Sequence, residues 1–151
     1  MNCQVEPITI AIVGCGKAKL DHAAEARDMY TSTLFRAARR YAESCDDWVI
    51  VSALYGLLAP ETVIEPYEYQ LERSHRQQWG QSQANHIVYD HRDVGPYEVI
   101  LLCGEDYAGP IVAGLRNDGD DGWRCNLVGV REPLKGMGLG KRMQWLTKEA
   151  T

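Results

Sequence analysis

Four short runs are dense in Val, Ile and Leu and barely alternate with polar residues: Ile8–Val13, Trp48–Val51, Val99–Cys103 and Cys125–Val130. A strand with one wet face would alternate, so these runs read as strands covered on both faces. Between them the period lengthens. Leu34, Ala37, Ala38, Tyr41, Ala42 and Cys45 recur at helical spacing and mark one apolar helix face. Thr31 or Ser32 can cap that helix, because a hydroxyl accepts from the first free amides. A polar, Gln-rich helix is expected from about Leu71 to His91, interrupted by Gly80. A third begins near Asp106, with Tyr107, Ile111, Val112 and Leu115 facing inward, and a last one covers Gly140 to Glu149. Asn117–Gly122, NDGDDG, reads as a solvated turn. Strands alternating with helices predict a single α/β domain with a mostly parallel twisted sheet of at least four strands and helices on both faces. Ile8–Val13 and Val99–Cys103 are the expected central strands.

In an open parallel sheet, ligands bind outside the carboxyl ends of the strands. The segments that follow the four runs are therefore the places to look for chemistry, and all are rich in Gly, Pro, Tyr and charge. GCGKAK (Gly14–Lys19) lets backbone approach a ligand through Gly14 and offers Cys15, Lys17 and Lys19. It is neither a phosphate-binding G-x-x-x-x-G-K-[ST] loop nor a dinucleotide GxGxxG turn. GEDYAGP supplies Gly104 and Tyr107. REPLKGMGLGKR places Lys141 and Arg142 at an expected helix start, a fair setting for an anion. Read alone, either glycine segment is equally a solvated turn. The longest segment, SALYGLLAPETVIEPYEYQL (Ser52–Leu71), far exceeds the usual connection of roughly 4–6 residues. Gly56 is expected at positive φ, and Pro60 and Pro66 stiffen the loop and hold Ala59 and Glu65 extended. Tyr55 and Tyr67 offer flat faces, and Glu61 and Glu65 offer carboxylates.

Composition narrows this picture without redirecting it. With 151 residues, 45% hydrophobic, 25% charged and a net charge of −5, the chain suits one domain and argues against coating nucleic acid by bulk charge. No apolar run approaches the roughly 20 residues of a membrane helix. Glu6 and Pro7 stand where a secretory signal would be apolar, so a cytoplasmic protein without membrane contact is expected. In that compartment Cys3, Cys15, Cys45, Cys103 and Cys125 are expected as free thiols. They show no zinc spacing, and His22, His75, His86 and His91 form no metal triad, so no metal or other cofactor is expected. Cys15 lies between glycines beside Lys17, a setting that stabilises a thiolate, although the sequence assigns it no base. Arg36, Arg39 and Arg40 read as a solvated helix face.

The motif YGLLAPETVIEPYEYQL resembles a signature of the YaaA peroxide-stress family. It is more similar still to DUF6884, a group of phage and bacterial proteins. The latter resemblance rests on four pieces in order: GCGKAK, ARDMYTSTLFRAARRYA, SALYGLLAPETVIEPYEYQL and GMGLGKRMQWL. The YaaA family is associated with DNA binding and protection under oxidative stress. Related domains occur in tRNA base-modifying enzymes of the archaeosine pathway, where a Cys-Ser-x-Lys-Lys/Arg-like stretch takes the place of GCGKAK. The resemblance implies a fold that handles nucleobases or nucleotides. YaaA proteins are longer and carry a helix-hairpin-helix-like part for which this chain has no room, so duplex binding does not come with the likeness.

Two readings follow. In the first, an enzyme acts on a nucleoside, nucleotide or nucleic-acid base, at the N-glycosidic bond or in exchanging or modifying the base. Glu65, then Glu61, would be its carboxylate. Lys17, Lys19, Lys141 and Arg142 would hold phosphate; Tyr30, Tyr55, Tyr67 and Tyr107 would frame the base; Ser32 and Ser52 would bind the sugar. The second is a non-catalytic module binding a nucleotide or DNA through the same pocket. Both expect Lys17, Tyr55, Glu65 and Lys141 to line one cavity.

Overall fold

A computed structural model describes residues 6–117 and 126–149. In chain order the elements are β1 (Ile8–Gly14), β2 (Ala24–Glu25), α1 (Ala26–Met29), α2 (Thr33–Glu43), β3 (Asp47–Ser52), β4 (Gly56–Leu58) and β5 (Val63–Ile64). A single 3₁₀ turn (Arg73–His75) then leads into α3 (Arg76–Asp90), β6 (Tyr97–Leu102), α4 (Glu105–Leu115), β7 (Leu127–Arg131) and α5 (Leu139–Glu149). The main sheet has the order β4-β3-β1-β6-β7. β1 pairs in parallel with β3 and β6, β6 with β7 in parallel, and only β4 runs antiparallel. The expected α/β class, the mostly parallel sheet and the central strands all hold.

Both faces of the sheet are covered, which is why its strands lack alternation. On one face, Ala11, Val13, Ile50, Ile100 and Leu102 pack against Phe35, Ala38 and Ala42 of α2 and Leu146 of α5. On the other, Ile10, Ile12, Val51, Val99 and Leu101 meet Ala84, Ile87 and Val88 of α3 and Ile111, Val112 and Leu115 of α4. Of the two expected caps, Ser32 performs the role: its Oγ accepts from the Phe35 amide at 3.1 Å. Gly80 does not interrupt α3. A Cβ there would stand 2.3 Å from the Pro110 side chain, so the glycine lets α4 approach closely.

Several elements fell outside the sequence expectation because they are too short to show a period. Strand β3 turns straight back into β4 through Gly56, whose φ is 71°. β2 and β5 form a two-stranded antiparallel ribbon with α1 beside it. Cys15, Cys45 and Cys103 are free thiols. Cys3, Cys125 and nearly all of the NDGDDG turn lie outside the described residues. Among the described residues no helix is long and apolar enough to cross a membrane.

Candidate functional site

The strand order dictates where a site forms. The chain steps from β1 to β3 on one side, then crosses to β6 and β7 on the other. The crossovers diverge at the carboxyl ends of β1 and β6, and a crevice opens at such a switch point. Gly14 ends β1 there. A Cβ at Gly14 would lie 2.5 Å from the Cys103 Cβ, so only glycine lets the two strand ends close up before the chain turns outward at Cys15. The Cys15 amide donates to the Val51 carbonyl at 3.0 Å, and the following loop is pinned back by Leu20 N–H to Met29 O and Thr31 N–H to Ala18 O.

The resulting cleft has a volume of about 550 Å³, and its walls include Cys15, Lys17, Lys19, Tyr67, Glu68 and Tyr107. A second cleft of about 670 Å³ adjoins it, walled by Arg76, Gly104, Glu105, Asp106, Tyr107 and Arg142. A smaller hollow of about 210 Å³ reaches down to Gly14, Ser32, Cys103 and Gly104. Tyr107 belongs to all three, held by ring contact with Trp79 at 5.3 Å.

At the Tyr67 wall of the first cleft three hydroxyls meet. Tyr67 Oη lies 2.7 Å from Ser52 Oγ and 2.7 Å from Tyr30 Oη. Ser52 Oγ also accepts from the amides of Leu54 and Tyr55 at 3.2 and 3.1 Å. Tyr55 meets the Tyr67 ring edge-on at 5.2 Å. Lys19 Nζ donates to the Lys17 carbonyl and stands 4.5 Å from the Tyr67 ring centre, a cation–π placement. Burial pushes the Tyr30 phenol up to about 12. Burial, with the charge of the neighbouring Cys15 acting in the same sense, raises Tyr67 and Tyr107 well above the ordinary phenol range. The buried Cys103 thiol is pushed up to about 12, chiefly by burial. Across neutral pH these three phenols are therefore donors.

Of the residues expected from sequence, Cys15, Lys17, Lys19, Tyr67 and Tyr107 share the first cleft. Gly14, Ser32, Gly104 and Arg142 border the adjoining spaces. Tyr30 and Ser52 are buried behind the wall as supports rather than contacts, and Ser32 is engaged as a helix cap. Tyr55 is 43% exposed, and Gly56 makes the hairpin turn. The expectation that Lys17, Tyr55, Glu65 and Lys141 line one cavity does not hold, because of the four only Lys17 borders a described cleft. Side chains alternate along β5, and Ile64 is its buried member, which turns Glu65 outward. Glu61 sits in the exposed turn closed by Thr62 N–H to Ala59 O. Lys141 is exposed, about 100° around α5 from Arg142 and about 140° from the buried Leu146.

Sequence reasoning missed Glu68, Tyr69, Gln70 and Arg76. The first three continue the YEYQ end of the long motif, and Glu68, rather than Glu65 or Glu61, is the carboxylate that borders the first cleft. Arg76 gave no signal. Its Nη1 reaches Asp106 Oδ1 at 3.1 Å, and its Nε is buried without a partner among the described residues. Among those residues no group of His, Cys, Asp and Glu is placed to hold a metal ion.

Residues 10–148 match the model of DUF6884, described as a family of unknown function. The chain is also similar to the "Uncharacterized protein YfjM" of Bacillus subtilis (strain 168), at 26% identity over 106 residues, which is 65% of this chain and 71% of that protein. No solved structure matches. The family match bears out the DUF6884 resemblance, whereas the more distant likeness to YaaA rests on the quoted motif alone.

Proposed function

The chain belongs to the DUF6884 family, and we propose from the cleft itself that it handles a nucleoside, nucleotide or nucleic-acid base. The carrying observation is that tyrosine faces and lysine ammonium groups converge in one cleft at the sheet's switch point. A planar base stacks on phenol rings, while Lys17 and Lys19 attract an anionic group. Glu68, in the same wall, takes the role the sequence assigned to Glu65 and Glu61. A carboxylate there would stabilise an oxocarbenium-like sugar or activate water, making the protein an enzyme of the N-glycosidic bond or of base exchange or modification.

A panel of nucleosides and nucleotides screened for thermal stabilisation, with product analysis of each hit, tests this. A ligand at 100 times its dissociation constant adds about 2.7 kcal/mol. Glu68→Gln should leave that stabilisation intact and cut turnover about 100-fold, the scale of lost acid–base help. A panel with no hit would sink the reading. Binding without turnover would instead favour a nucleotide-binding module, a reading supported by Glu61 and Glu65 standing outside the cleft.

A further inference from the structure

The hydroxyl group behind the cleft carries one proton too many for its own contacts. Ser52, Tyr30 and Tyr67 each bring one hydroxyl proton. Ser52 Oγ already accepts from two backbone amides, so its lone pairs are engaged and its own proton must go to a phenol oxygen. That also prevents the three hydroxyls from closing into a ring, since Ser52 cannot accept again. Tyr30 is 1% exposed, and its hydroxyl sits against Tyr67. A buried proton without an acceptor is penalised, so Tyr30 donates to Tyr67. The Tyr67 oxygen thus receives two protons, and its own proton has no acceptor within the group. Tyr67 is also the one member of the three that borders the cleft.

We propose that the Tyr67 hydroxyl is an outward-facing donor that binds an anionic oxygen of the ligand, phosphate or carboxylate, with Ser52 as its positioning residue. The choice of an anion comes from Lys17 and Lys19, which border the same space. Lys19 Nζ is held against the Tyr67 ring. The raised phenol keeps its proton across the neutral range, as a donor must. This rests on reading the cleft as a ligand site and deepens that reading. It seats the acidic group beside Lys17, Lys19 and Tyr67 rather than at Lys141 and Arg142.

The test is a titration of the whole protein with inorganic phosphate, malonate, adenosine and adenosine 5′-monophosphate, followed by calorimetry. Tyr67→Phe, Ser52→Ala and Ser52→Thr are compared with the parent. Tyr67→Phe should weaken binding of the anionic probes about tenfold or more, the scale of a lost hydrogen bond to a charged group, and leave adenosine unchanged. Ser52→Ala should weaken the same probes, and Ser52→Thr, which keeps the hydroxyl, should restore them. A merely structural serine would not give that split between charged and uncharged probes. If Tyr67→Phe fails to fold, the two Ser52 variants decide. A Tyr67-dependent response to phosphate or malonate, with no response to either adenosine probe, supports this proposal and counts against the nucleotide reading. Tight monophosphate binding that ignores Tyr67 and Ser52, or no anion binding by the parent, overturns the proposal.

Discussion

The two adjoining clefts share Tyr107 and Gln70 as walls, yet their charges are arranged in opposite ways. In the cleft beside Cys15, Lys17 is exposed and has no carboxylate partner among the described residues. Lys19 bonds a backbone carbonyl, and Glu68 is the acid of that wall. In the neighbouring cleft, Arg76 and Arg142 face Glu105 and Asp106, and all four side chains are engaged, with only the buried Arg76 Nε left without a partner among the described residues. Arg76 holds Asp106, Arg142 Nε donates to the Met137 carbonyl at 2.9 Å, and Glu105 accepts from the Gly136 amide at 2.9 Å. The first arrangement leaves cationic charge for a visitor; the second ties the 136–138 loop to α4 and α5. Density of charged residues does not distinguish a binding surface from a fastening. What the charges already touch does.

The largest expected effect that would sharpen this contrast is on affinity. Replacing Lys17 and Lys19 together by Ala should weaken a phosphate-bearing ligand by about 100-fold, roughly tenfold for each ammonium group removed. Retained affinity in a calorimetric titration would break the comparison at its root.

Alkaline pH comes next. The Tyr30 phenol titrates at about 12 in the folded protein against about 10 when unfolded, so the fold holds that proton more tightly. Its contribution to stability is fully present below pH 10 and is lost as pH rises from about 10 towards about 12. Denaturant unfolding across that window should show stability falling, and Tyr30→Phe should flatten the slope.

Arg142→Ala should act in the other direction from the lysines. It should lower the melting temperature by a few degrees, through the lost tie to Met137, while changing ligand affinity less than about threefold. An affinity loss comparable to that of the lysine variant would make the second cleft part of the binding site. The smallest effect belongs to Glu65→Gln, which should leave both stability and any turnover unchanged within error. A hundredfold drop in turnover there would restore Glu65 to the site.

The layers of the fold were legible because each strand is covered on both faces and each main helix spans several turns, so the period had room to show. The four parallel strands and α2 to α5 came out within a few residues. The hairpin Ser52–Gly56 and the β2/β5 ribbon did not, since pairs of two or three residues carry no period. The site was legible by segment and not by residue. The strand-end rule drew GCGKAK, GEDYAGP and the long tyrosine motif to one edge, and it found Lys17, Tyr67 and Tyr107. It had no means of telling Glu65 from Glu68. That distinction rests on Ile64, whose pairing with Ala24 in a two-residue ribbon fixes which side chains turn outward.

The place of β1 in the sheet also bears on how the chain is made. Val13 pairs with Leu102, so the sheet's centre cannot close until two thirds or so of the chain exists. Such distant pairing is slow to form, and its exposed edges invite misassembly meanwhile. Cys15 and Tyr107 meet across that same junction. No nascent chain ending before α4 has the cleft.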